Sequence, residues 1–308
     1  MLKFKKFVFI AFIITFSTCL NAKIQIKYKI GDEIITNFDI LEEKKYLLFL
    51  RPNLKNLNTN EINKISEDSL IKYIIKKKEI NKVFAKSIGK NFEEKILNDL
   101  YRFKKVKNKE QLVILLNQNK IEYDKMINKV KYEALWNDLI YRKFNSIVKI
   151  DENHLKNILR NKLKNNIKYE YNLSEILFEV NNSEKLNSKY MKILKYINKS
   201  DFKTAAVKFS LSNSNNKGGE IGWIKETLLS LNLNKILRDM NVKEITKPIK
   251  YPNGYLLLKI NNKRNMKEII DFNKELDELI KFERNRQLNQ FSLLFYKKLK
   301  QNTIINEN

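Results

Sequence analysis

Residues able to do chemistry are scarce in this sequence. His154 is its one histidine and Cys19 its one cysteine, and Cys19 lies in an apolar N-terminal stretch. A zinc set, a Cys–His pair and a disulfide are therefore unsupported beyond that stretch, and His154 is expected to be structural or superficial. Asp and Glu are plentiful, yet none falls at a spacing that isolates a general acid and base. Phosphate loops, zinc-finger spacings and arginine-rich arms are absent, which argues against nucleotide-driven work and specific nucleic-acid binding; no cofactor or metal is expected. One constellation stands apart: Gly218-Gly219-Glu220-Ile221-Gly222-Trp223, followed by Ile245-Thr246-Lys247-Pro248-Ile249 and Gly254-Tyr255. Clustered glycines serve backbone angles and close approaches closed to other residues, and Trp223 is expected to cover the core beside them.

The surrounding pattern supplies elements to position this constellation. Tyr171, Leu173 and Val180 read as a strand, Asn181-Asn182-Ser183 as a turn, residues 184–190 and 201–209 as helices, 231–240 as a third helix and 254–260 as a closing strand. From Glu170 to Asn262 this order resembles the parvulin family of peptidyl-prolyl isomerases. Leu173-Ser174-Glu175-Ile176-Leu177 resembles the family's first strand, the stretch from Asp201 to Ser210 resembles the helix before its active-site loop, and the glycine–tryptophan run resembles its most distinctive motif.

The resemblance implies rotation of the bond before proline, across a barrier of about 20 kcal/mol, in a pocket that favours the twisted bond without a cofactor. It also implies His on the first strand, Asp or Cys in the loop after the second helix, and His on the last strand. Here those places hold Glu175, Ser212 and Leu256. A carboxylate stands for an imidazole, a hydroxyl for an acid or thiol, and Leu256 has no hydrogen to donate. Leu229 and Leu233 fall where the family commonly has Met and Phe, which preserves apolar character. No residue is assigned to catalysis; Glu175, Ser212, Leu229, Leu233 and Leu256 are the candidates for peptide contact.

In the N-terminal flank, Ile24, Ile26, Tyr28 and Ile30 alternate as in a half-buried strand, Gly31-Asp32 turns the chain, Glu33-Ile34-Ile35 continues it, and Thr36 caps a helix with Asp39 in its first turn. Pro52 and residues 53–60 read as a loop. Helical stripes then run through Ile71, Ile74 and Ile75, through Phe92, Ile96 and Leu100, and through Met126, Leu135, Trp136 and Leu139, with Trp136 expected in the core. Asp151 caps a helix carrying His154. Helical period returns from about 266 to 300, where Phe272, Leu276, Leu288, Phe291 and Phe295 are expected to pack on the N-terminal helices, and Thr303-Ile304-Ile305 adds a strand beside residues 24–35. The expected fold class is α+β: a helical module made from both ends of the chain, with a central parvulin-like α/β domain. The expected divisions are a signal peptide at 1–22, the N-terminal helical module at 23–167, the parvulin-like domain at 168–262 and the completing helix and tail at 263–308.

Lys3, Lys5 and Lys6 precede an apolar run at 7–20, and Ala22 offers a small residue for cleavage, the pattern of an export signal too short to favour a permanent anchor; an anchored form is the runner-up. The formal charge of the 308-residue chain is +26, from 61 basic and 35 acidic residues. Most lysines are expected on solvated faces, with transient contact to an anionic membrane surface as a further expectation. The whole layout resembles the SurA-like exported chaperones, with one parvulin-like domain. That resemblance implies ATP-independent, periplasmic holding of unfolded outer-membrane or exported proteins. The alternatives are a peptidyl-prolyl isomerase assisting exported proteins and a membrane-assembly adaptor.

Overall fold

The computed structural model describes residues 23–84, 90–164, 169–180, 185–252, 254–266 and 271–308, so the expected signal peptide lies outside the described residues. Alternation makes Ile26–Ile30 strand β1, and Gly31, at φ +59°, turns it into β2, Glu33–Thr36. Thr36 then opens α1, Asn37–Leu50, with a capping box. Its hydroxyl accepts from the Asp39 N–H at 3.2 Å, and the Asp39 carboxylate accepts from the Thr36 N–H at 2.7 Å. The expected loop at 53–60 is shorter than its composition implies: Pro52–Asn56 forms a 3-10 turn and Asn58 already caps α2, Thr59–Val83. Helices α3 (Lys90–Lys104), α4 (Lys109–Gln118) and α5 (Tyr123–Phe144) follow. Asp151 accepts from the His154 N–H at 2.8 Å and caps α6, Glu152–Lys164.

The central segment forms strands β3 (Tyr169–Phe178), β4 (Glu220–Lys225), β5 (Ile249–Tyr251) and β6 (Gly254–Asn265) in one antiparallel sheet of order β4-β3-β6-β5. Period-two alternation divides its apolar side chains. Ile176, Phe178 and Leu257 face α7 (Leu186–Lys199) and α8 (Phe202–Phe209). Tyr171, Leu173, Leu177, Leu256, Leu258 and Ile260 face α9, Leu231–Arg238. β6 runs past its expected end at Ile260 because its continuation pairs with the start of β3 as far as Tyr169↔Asn265.

Trp223 departs from expectation. Alternation along edge strand β4 turns Ile224 towards the α9-side core and leaves Trp223 39% exposed, with the Arg264 guanidinium 4.1 Å from its ring centroid. The tryptophan covers no core; it carries a cation.

Helix α10, Phe272–Gln301, rejoins the N-terminal helices as expected. Trp136 of α5 is 1% exposed, donates its indole N–H to Ser292 Oγ at 2.9 Å and stacks on Phe295 at 5.6 Å. β7, Ile305–Glu307, pairs with β1 but starts later than the expected 303–305, because Thr303 Oγ1 still donates to Leu299 O at 2.7 Å and finishes the helix. Among the described residues no helix is long and apolar enough to cross a membrane.

Candidate functional site

Glu175 lies in the middle of β3, opposite Leu258 of β6, and its N–H donates to Gly219 O at 2.8 Å. This contact explains one glycine. Gly219 adopts φ +79°, and a Cβ there would sit 2.3 Å from Glu175 O. Gly218, at φ +65°, ends the 3-10 turn Asn213–Lys217 that Ser212 caps. The turn folds the loop back over β3. Ser212 Oγ reaches Glu175 Oε1 at 2.5 Å, Ser214 Oγ reaches the same oxygen at 2.8 Å, and the two hydroxyl oxygens are 3.2 Å apart.

The structure thus brings Glu175 and Ser212 together and adds Ser214, which sequence reasoning missed. A serine two residues beyond Ser212, in a run of Asn and Ser after a helix end, was the available signal. Each hydroxyl has one hydrogen. With both directed at Glu175, neither is left to donate to the nitrogen of a prolyl bond. The arrangement holds the loop against β3.

The three leucine candidates share the α9-side core. Leu229 is 5% and Leu256 4% exposed, whereas Leu233 is partly exposed at its edge. Leu211, Tyr251 and, from α10, Leu293 pack against the same cluster, so the chain's own C-terminal helix covers part of this face. An open cleft of about 640 Å³ lies elsewhere, between α9 and residues 244–250, with Ile236, Met240, Pro248 and Ile249 among its walls. None of the five candidates lines it.

The helical module grips the site from behind. Lys162 of α6 is 3% exposed and donates to Thr227 O at 2.5 Å and to Leu229 O, the backbone of a candidate residue. Burial lowers its pKa to about 8, against the opposing pull of Glu226 and Glu275. Lys225 of β4 pairs with Glu275 at 2.9 Å and Glu278 at 2.7 Å on α10, while Thr227 Oγ1 also donates to Glu275. Arg51, at the end of α1, donates to Asn216 O at 2.8 Å and Oδ1 at 3.0 Å, and Lys208 of α8 meets Glu61 of α2 at 2.5 Å.

A four-stranded antiparallel sheet with this glycine-bound loop defines a parvulin-type domain, and residues 175–262 match the model of the rotamase family, the PPIC-type PPIASE domain. The chain carries such a domain and is homologous to SurA-like chaperones. It is 30% identical to chaperone SurA of Pseudomonas putida over 167 residues, covering 52% of this chain and 39% of that protein. It is 28% identical to chaperone SurA of Buchnera aphidicola subsp. Schizaphis graminum over 299 residues, covering 89% of this chain and 67% of that one. A solved SurA-like chaperone of Campylobacter jejuni, at 14% identity, covers 92% of this chain and 98% of its own with a TM-score of 0.37. The chain thus spans about two fifths of the length of the Pseudomonas putida relative.

Proposed function

We propose that this protein is an ATP-independent periplasmic chaperone that holds unfolded outer-membrane or exported polypeptides, with a parvulin domain that binds and does not rotate prolyl bonds. The observation carrying the second half is the closed Glu175–Ser212–Ser214 network beside Leu256, where a catalyst needs hydrogen-bond donors. Homology to chaperones supports the first half. In this reading the module boundaries fall near residues 167 and 262, residues 1–22 direct export, and basic faces meet anionic membrane surfaces only transiently. Leu233, Glu175 and Ser212 offer client contact at the rim, while Leu229 and Leu256 shape the apolar floor under Leu293. Holding needs only modest, exchangeable contacts with extended chains, so release follows as the client folds.

Two assays on the purified full chain test this reading. Suppression of aggregation of a denatured outer-membrane protein is expected, without accelerated cis–trans exchange in proline peptides measured by NMR. Exchange at the rate of an ordinary parvulin would overturn the inactive-domain reading, and failure to suppress aggregation would overturn holding.

A further inference from the structure

Outside the parvulin domain, one group of side chains gathers more cations than carboxylates. Arg51 ends α1, Lys72 and Lys76 lie one turn apart on α2, and all three act on the Glu133 carboxylate of α5, with Tyr296 of α10 beside Lys72; these groups form one cluster. Lys76, 3% exposed, forms an ion pair with Glu133 at 2.8 Å and lies 5.1 Å from the Trp136 ring. Lys72 lies 5.6 Å from the Tyr296 ring and, among the described residues, has no carboxylate within ion-pair distance. Arg51 donates to the uncharged Asn216. The neighbouring Lys129 is matched separately, by Glu43. Three cations therefore share one carboxylate.

Burial lowers the Lys72 pKa to about 8, and Lys76 and Arg51 lower it further against the opposing effect of Glu133. Burial likewise lowers Arg51 to about 10. The Tyr46 hydroxyl, near Glu133 and Arg51, is pushed up by burial and stays a neutral donor. Glu133 keeps 41% of its side chain exposed, so the cluster reaches water there. A fold that gathers unmatched cations in a partly dry, open place is built to receive an anion.

Resting on the holding reading above, we propose that Arg51, Lys72 and Lys76 bind a carboxylate carried by an extended client polypeptide, an Asp or Glu side chain. Arg51 itself makes the Asn216 contact between helical module and parvulin domain, so a chain lying along that junction meets the cluster at Arg51. The Lys72 and Lys76 ammonium groups themselves lie over the Tyr296 and Trp136 rings, which hold them in place without neutralising their charge.

The test uses the full chain and three labelled peptides of alternating apolar and polar residues. The first has one central Asp and an amidated end, the second has Asn in its place, and the third is the Asn peptide with a free C-terminal carboxylate. By fluorescence anisotropy, the Asp peptide is expected to bind wild type about ten-fold more tightly than the Asn peptide, the effect of one charge-assisted hydrogen bond. Lys72→Met removes that preference and Lys72→Arg keeps it. Equal binding of the Asp and Asn peptides, an undiminished preference in Lys72→Met, or no binding of either overturns the proposal. Preference for only the free C-terminus overturns the side-chain assignment. Aggregation suppression in the same preparation tells whether the holding reading falls too: its persistence leaves that reading standing alone.

Discussion

Lys162 on α6 is buried and Lys72 on α2 partly so, and burial lowers each pKa to about 8, yet their surroundings differ. Lys162 gives hydrogens to two backbone carbonyls and feels two glutamates; Lys72 faces a tyrosine ring, two other cations and Glu133, a carboxylate already paired with Lys76. The same burial is a joint in one place and an unfilled demand in the other. What separates a structural buried charge from a functional one is the partner set, since desolvation alone is common to both.

The strongest way to break this comparison is Lys162→Met. It leaves two buried carbonyls without their donor and Glu226 and Glu275 without the lysine's field, so a loss of about 3 kcal/mol in chemical denaturation is expected. A loss below about 1 kcal/mol would mean that Lys162 does not fasten α6 to the turn before Leu229. Glu133→Gln comes next. It removes the one carboxylate that, among the described residues, pairs with Lys76 and should cost about 2 kcal/mol, while strengthening binding of the Asp peptide several-fold because the cation excess grows. Weaker binding would show that Glu133 orients a ligand and does not compete with it.

Lys72→Met sharpens the contrast by its sign. Replacing an unmatched buried ammonium with an apolar side chain of similar length should raise stability by about 1 kcal/mol, seen as a higher Tm. Destabilisation would place Lys72 with Lys162, as a structural member of the core.

These two lysines also mark what sequence could convey. Local devices were legible: the Thr36–Asp39 box, alternation in β1, the glycine-bound loop and the α10 stripe that meets Trp136 all follow from nearest-neighbour chemistry. The five site candidates were legible only by likeness to a family, and their fates diverged because burial is tertiary. Leu229 and Leu256 enter a core completed by Leu293 from α10, and Glu175 finds Ser214 only after the 3-10 turn forms. Trp223 faces outward because one-residue parity in an edge strand, which a glycine motif does not encode, decides its side. In a chain with 61 basic residues, nothing local tells Lys72 or Lys162 from the lysines on solvated faces.

The last contrast is the pH dependence of the stability difference between Lys72→Met and wild type. The folded pKa of about 8 lies below the ordinary lysine value of about 10.4. Below pH 8 the lysine is protonated in both states, and the full burial penalty weighs on the wild type. Between about 8 and 10.4 the unfolded chain binds more protons than the folded one, so wild-type stability rises with pH through this group. Methionine has no such term, so the advantage of Lys72→Met should be flat below pH 8, shrink above it and change sign before pH 10. Lys104, Lys129 and Lys162, also lowered to about 8 by burial, are present in both proteins and cancel to first order. Arg51, Lys76 and Glu133 face Lys72 directly and do not cancel if their own protonation responds; Arg51, lowered to about 10, enters only at the top of the window. Paired denaturation curves at pH 7 and pH 9.5 measure the difference. An advantage of equal size at both would show that Lys72 has an ordinary pKa in the folded protein, and the cluster would then hold its cations at no electrostatic cost.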